Sequence, residues 1–112
     1  MTKQTTVKVG KHRNAPRLWL EGKKLLNSGF ARGDRYDIEI VDSALLITAN
    51  NNGKRVISGR SRDSGITYSP IIDAHSLQWA AMFPGWSDNN GRALIEYAHN
   101  GRGTIRVTNN ND

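Results

Sequence analysis

The order of pattern elements in this chain runs twice, and that recurrence restricts the fold more than any single motif does. The first pass opens with the alternating Val7-Lys8-Val9 and a basic glycine loop, Gly10-Lys11-His12-Arg13, that runs on to Pro16. Arg17-Leu18-Trp19-Leu20 reads as an apolar strand ending at Glu21. Residues 22–29 read as one or two helical turns that Gly29 ends. After a turn at residues 31–34, Arg35–Val41 alternates cleanly, with Tyr36, Ile38 and Ile40 on one face and Asp37 and Glu39 on the other. A turn at residues 42–44 and a strand at 45–48 complete a hairpin.

The polar, turn-rich residues 49–54 form the junction between passes. Arg55-Val56-Ile57-Ser58 then matches the opening strand, and Gly59-Arg60-Ser61-Arg62 answers the first glycine loop. Pro70-Ile71-Ile72-Asp73 is again an apolar strand ending in an acid. Residues 74–82 make the second set of helical turns, with Asp73 as their cap and Leu77 in register with Leu25. Pro84-Gly85 breaks them, Ser87 to Gly91 is a polar insertion, and residues 92–97 parallel 35–40. A turn at 99–103 and a strand at 104–108 close the second hairpin. Few letters are identical, so the duplication rests on the joint order. It predicts one domain over residues 7–112, with repeats at 7–48 and 55–108 and frayed ends at 1–6 and 109–112.

Charge supplies the functional direction. Residues 1–62 hold thirteen basic and five acidic side chains, or +8, whereas residues 63–112 hold three and five, or −2. A basic half joined to a weakly acidic one produces a directed field, the footprint of a polyanion binder. No apolar run reaches the roughly 18 residues of a membrane span, and residues 1–10 lack the apolar centre of a secretory signal. With no cysteine, disulfides and thiolate metal sites are excluded. A cytoplasmic location fits, with no cofactor and no membrane partner.

Residues 16–48 also carry a resemblance. Arg17-Leu18-Trp19-Leu20-Glu21-Gly22-Lys23-Lys24-Leu25-Leu26, then Ser28-Gly29-Phe30-Ala31-Arg32-Gly33-Asp34, an alternating strand and Leu45-Leu46-Ile47 resemble the SymE-like branch of the AbrB/SpoVT superfamily. The resemblance implies a mainly β fold with short helices, a swapped-hairpin barrel in which two such units interlock. In that superfamily the units usually come from two chains. Here both halves lie in one chain, so a single-chain pseudo-dimer is implied. Its members are mostly DNA-binding regulators or antitoxins, and the SymE-like proteins look like toxins for which RNA cleavage and DNA binding have both been considered.

The candidate nucleic-acid contacts come from charge and loop position. Lys11, His12 and Arg13 lie in one glycine loop, and Arg60 and Arg62 in the other. Lys8, Lys54 and Arg55 flank them, and Arg17, Lys23 and Lys24 are close in sequence. Such cations neutralise phosphates, and glycine lets a backbone approach closely. The competing reading makes these ordinary solvated loops. Trp19 and Trp79 are expected in the core, because a lean core needs large side chains, and Trp86 is expected to be exposed.

DNA is the favoured partner over RNA, bound by a monomer or homodimer. The alternative is a small phage or mobile-element protein that inhibits a host nucleic-acid enzyme, using the −2 half and its aromatics as the contact surface. Catalysis is not expected: His12, His75 and His99 sit in separate elements without metal-motif spacing. A ribonuclease using His12 or His99 with a nearby lysine is the third reading.

Overall fold

The structure is a computed structural model, and it describes residues 2–62, 67–98 and 103–110. Its strands are β1 (Thr2–Lys8), β2 (Gly10–His12), β3 (Ala15–Glu21), β4 (Arg35–Val41), β5 (Ala44–Ala49), β6 (Arg55–Val56), β7 (Ser58–Arg62), β8 (Thr67–His75), β9 (Arg92–Ala98) and β10 (Thr104–Asn109). One α-helical segment, α1 (Lys23–Asn27), follows β3. Two 3-10 segments, Leu77–Met82 and Trp86–Asp88, lie between β8 and β9.

The strands form two antiparallel sheets. The larger has the order β1-β9-β10-β5-β4-β6 and the smaller β2-β3-β8-β7. The barrel expected from the family resemblance is replaced by these two open sheets. Exchanging β1 with β6, β2 with β7, β3 with β8, β4 with β9 and β5 with β10 returns both orders reversed. Individual bonds obey the same exchange. Val9 N–H donates to Gly91 O at 2.9 Å and Ile57 N–H to Asp34 O at 2.8 Å; Gly22 N–H donates to Pro70 O at 3.1 Å and Ser76 N–H to Pro16 O at 3.2 Å.

Alternation decides which side chains enter the core. In the larger sheet Leu45, Ile47, Ile95, Tyr97, Ile105 and Val107 are buried, and in the smaller sheet Leu18, Leu20, Ile72 and Ala74 are. They join Leu25, Phe30, Trp79 and Phe83 in one cluster. Burying each of the Val, Leu, Ile and Phe side chains contributes on the order of 1.5–3 kcal/mol. Helix α1 stays short because Gly29, at φ 94°, ends it as expected. Gly29 N–H donates to Leu26 O at 3.1 Å and Phe30 N–H to Leu25 O at 3.0 Å. Those are the paired bonds of a Schellman ending, with Phe30 and Leu25 both buried.

Several local expectations change. Residues 2–6, expected to fray, belong to β1, where pairing with β9 holds them. The two glycine loops are strands: residues 10–12 are β2, and residues 59–62 lie in β7. Residues 74 and 75 extend β8, so the following turns begin later and are 3-10. Ser76 caps them instead of Asp73, its side chain accepting from Gln78 N–H at 3.2 Å. Leu77 is 66% exposed and Trp79 takes the buried position expected of it. Among the described residues, no helix is long and apolar enough to cross a membrane.

Candidate functional site

The smaller sheet presents a polar face on which four side chains interlock. Arg17 pairs in register with Gly10 of β2 on one side and His75 of β8 on the other, and Trp19 lies opposite Asp73. Residues on one face alternate with core residues, so Arg17, Trp19 and Glu21 point away from Leu18 and Leu20. The Arg17 guanidinium forks onto Asp73, Nε to Oδ1 and Nη2 to Oδ2, both at 2.8 Å. Its Cζ also sits 4.9 Å from the centroid of the Trp19 ring. The indole N–H of Trp19 donates to Glu21 Oε1 at 3.2 Å.

Beside this group, the rings of His12 and His75 meet edge to face, with centroids 4.8 Å apart and planes at 67°. The sheet thus joins two imidazoles that are 63 positions apart in the chain. Arg17 holds the Asp73 carboxyl below its usual range, helped by the nearby His12 and His75. In return Asp73 holds the Arg17 pKa up. Arg17 therefore binds an acid and lies against an aromatic ring, and it fixes that ring in place.

The other predicted contacts divide into groups. Lys11 is exposed on β2, and Arg13 is exposed in the two-residue turn that follows, at φ 50°. Lys23 and Lys24 are exposed on α1, which leaves the end of β3. Arg60 and Arg62 belong to β7, at the opposite edge of the same sheet from β2; their side chains lie outside the described residues. The two basic segments thus stand three strand spacings apart, about 14 Å. Lys8 ends β1, in register with Arg92. Lys54 and Arg55 lie beside β4 at the far edge of the larger sheet. Lys54 donates its backbone N–H to Asp37 Oδ1 at 3.1 Å, and Asn50 donates to Oδ2 at 2.7 Å. These bonds hold the Asp37 carboxyl below its usual range.

Sequence reasoning missed Trp19, Asp73, His75 and Glu21 as members of the exposed face. Trp19 is 38% exposed, not core, whereas Trp86 is half-buried against the core. The signal for Trp19 was its alternation with Leu18 and Leu20. Asp73 and His75 carry no such signal, because the strand predicted from the sequence ends at residue 73. His99 lies outside the described residues. Among the described residues, no three His, Asp or Glu side chains are placed to hold a metal ion. Compared with protein-family models, curated proteins and solved structures, the chain matches none.

Proposed function

We propose that this chain binds nucleic acid, with DNA the favoured form, through the polar face of the smaller sheet and the cations beside it. Lys11, Arg13, Lys23 and Lys24 follow one another along the β2–β3–α1 stretch, all exposed and without an ion pair among the described residues. That run of uncommitted cations is the observation that carries the reading, because phosphate contacts supply most of the affinity for nucleic acid. Trp19, with Arg17 against its ring, adds a flat surface on which a base can stack. The same reading takes the chain as two degenerate copies of one unit, a single-chain counterpart of a swapped-hairpin dimer. The exchangeable strand orders and the family resemblance of residues 16–48 both support it.

The test is a binding titration with a 20-base-pair duplex, an oligothymidylate and an RNA of equal length at several salt concentrations. Four neutralised phosphates give a slope of log affinity against log salt of about −3.6 for duplex DNA. Replacing Lys11, Arg13, Lys23 and Lys24 with Ala flattens that slope. Failure of all three probes to bind in 50 mM salt, or a slope unchanged by the four replacements, overturns the reading.

A further inference from the structure

The two outer regions of the larger sheet are covered unequally. Strand β9 pairs with β1 along its whole length, from Thr2↔Ala98 to Lys8↔Arg92. Strand β4 holds the exchange-related position, yet β6 covers it only at Arg35↔Val56 and Tyr36↔Arg55. The turn at Asp42 and Ser43 has two residues, so Val41 and Ala44 form a hydrogen-bonded pair. Bonding then alternates: Val41, Glu39 and Asp37 direct their backbone groups at β5, while Ile40 and Ile38 direct theirs the other way. In β9 the corresponding Tyr97 and Ile95 meet Lys3 and Thr5. Among the described residues, no strand meets Ile38 and Ile40 on the side away from β5.

The cause lies in the connection. With Val9 matching Ile57, the counterparts of residues 2–6 are residues 50–54. Those residues must carry the chain from β5 around the end of β4 to its other edge. Asn50 N–H donates to Arg35 O at 2.9 Å, and Gly53 N–H donates to Asn50 O at 2.8 Å. Gly53 passes so close that a Cβ there would lie 2.6 Å from Tyr36 O. A segment bent around one end of β4 cannot also lie along it.

We propose that the open edge at residues 38–41 accepts an extended segment of a partner protein in which β-branched apolar residues alternate with basic ones. Among the described residues, Ile38 and Ile40 direct N–H and C=O groups to an edge that no strand pairs, the requirement for strand addition. Ile38 is half-buried and Ile40 is 50% exposed, so apolar side chains on an added strand would cover them. Glu39 and Asp42 are exposed at the same edge, on a chain of net charge +6. The strand that fills the matching place on β9 reads Thr-Lys-Gln-Thr-Thr-Val-Lys and carries no acid. Pairing with β4 of a second copy is opposed, because it brings the Glu39 and Asp37 of both copies onto one face.

The test uses the full chain, isotope-labelled for amide detection, and two capped peptides, KVKVKVK and EVEVEVE. The basic peptide slows exchange of the Ile38 and Ile40 amides, and the acidic one does not. Glu39→Lys weakens the basic peptide at least tenfold and admits the acidic one. Ile40→Pro removes an edge donor without a β5 bond and abolishes binding; should that variant not fold, Glu39→Lys still decides. Equal binding of both peptides, protection confined to β1, β9 or the smaller sheet, or Ile38 and Ile40 amides already protected in a dimer of the free protein each overturn the proposal.

Discussion

Strands β3 and β8 run antiparallel at the middle of the smaller sheet and occupy exchange-related places, but they carry opposite chemistry there. Where they meet, Trp19 of one faces Asp73 of the other, and the bonds from Gly22 and Ser76 make these two residues counterparts. Two tryptophans or two aspartates at that point would crowd or repel. One of each leaves room for Arg17 to bind the acid and lie against the ring. The segments after these strands differ in the same way. Leu25 of α1 and Trp79 of the 3-10 turn are counterparts, both buried, and the larger side chain belongs to the less regular backbone. Strand pairing holds the backbone frame in place while side-chain volume is redistributed across it.

The core holds the largest difference between these counterparts. Trp79→Ala is expected to lower unfolding free energy by about 3–5 kcal/mol and Leu25→Ala by about 2–5. Leu77→Ala, on an exposed side chain, should cost less than about 0.5 kcal/mol. Denaturant titration of the three variants checks the register; a Leu77 cost equal to that of Leu25 would return the alignment to the one read from sequence.

The unequal edges give the next largest effect. Thr5 faces Ile95 in a fully paired ladder, so Thr5→Pro, which removes a ladder hydrogen bond, should cost about 1–3 kcal/mol. Ile40→Pro removes no strand bond and should cost under about 1 kcal/mol. Equal losses in thermal or denaturant unfolding would mean that the β4 edge is as engaged as β9. Smaller still is the hairpin tip, where Asp42 and Ser43 have φ of 50° and 64°. Asp42→Asn combined with Ser43→Gly suits this turn better and should raise stability by about 1 kcal/mol, read as a higher melting temperature.

The smallest effect concerns the Arg17–Asp73 fork. The Asp73 carboxyl has a lowered pKa, so its stabilisation is present above the ordinary value of 3.8 and is lost as pH falls through the lower folded value. The pair is partly exposed, with relative side-chain accessibilities of 32% and 37%, and its worth is at most about 1 kcal/mol. Wild type and Asp73→Asn should therefore differ slightly in unfolding free energy at pH 7 and converge in strong acid.

Much of the larger sheet was legible in the sequence because alternation in β4, β5, β9 and β10 is a local property. Residues 35–40 and 92–97 both alternate every second residue, and both lie in strands, β4 and β9. The helix ending at Gly29 was legible for a similar reason, since a left-handed backbone position favours glycine. The glycine-rich basic segments misled because their composition matches a loop, while backbone bonds to β3 and β8 make them strands.

The order of residues alone fixes a mainly β chain, two hairpins and the alternating apolar side chains that can enter a core. The rest follows from how the strands meet. Cross-strand pairing brought His12 to His75 and Arg17 to Asp73, turned Trp19 outward and, among the described residues, left the end of β4 without a second strand. The reason is range: periodicity acts between neighbours in the chain, whereas register, edges and faces are set by residues some fifty positions away, whose partners appear only when the backbone has closed its bonds.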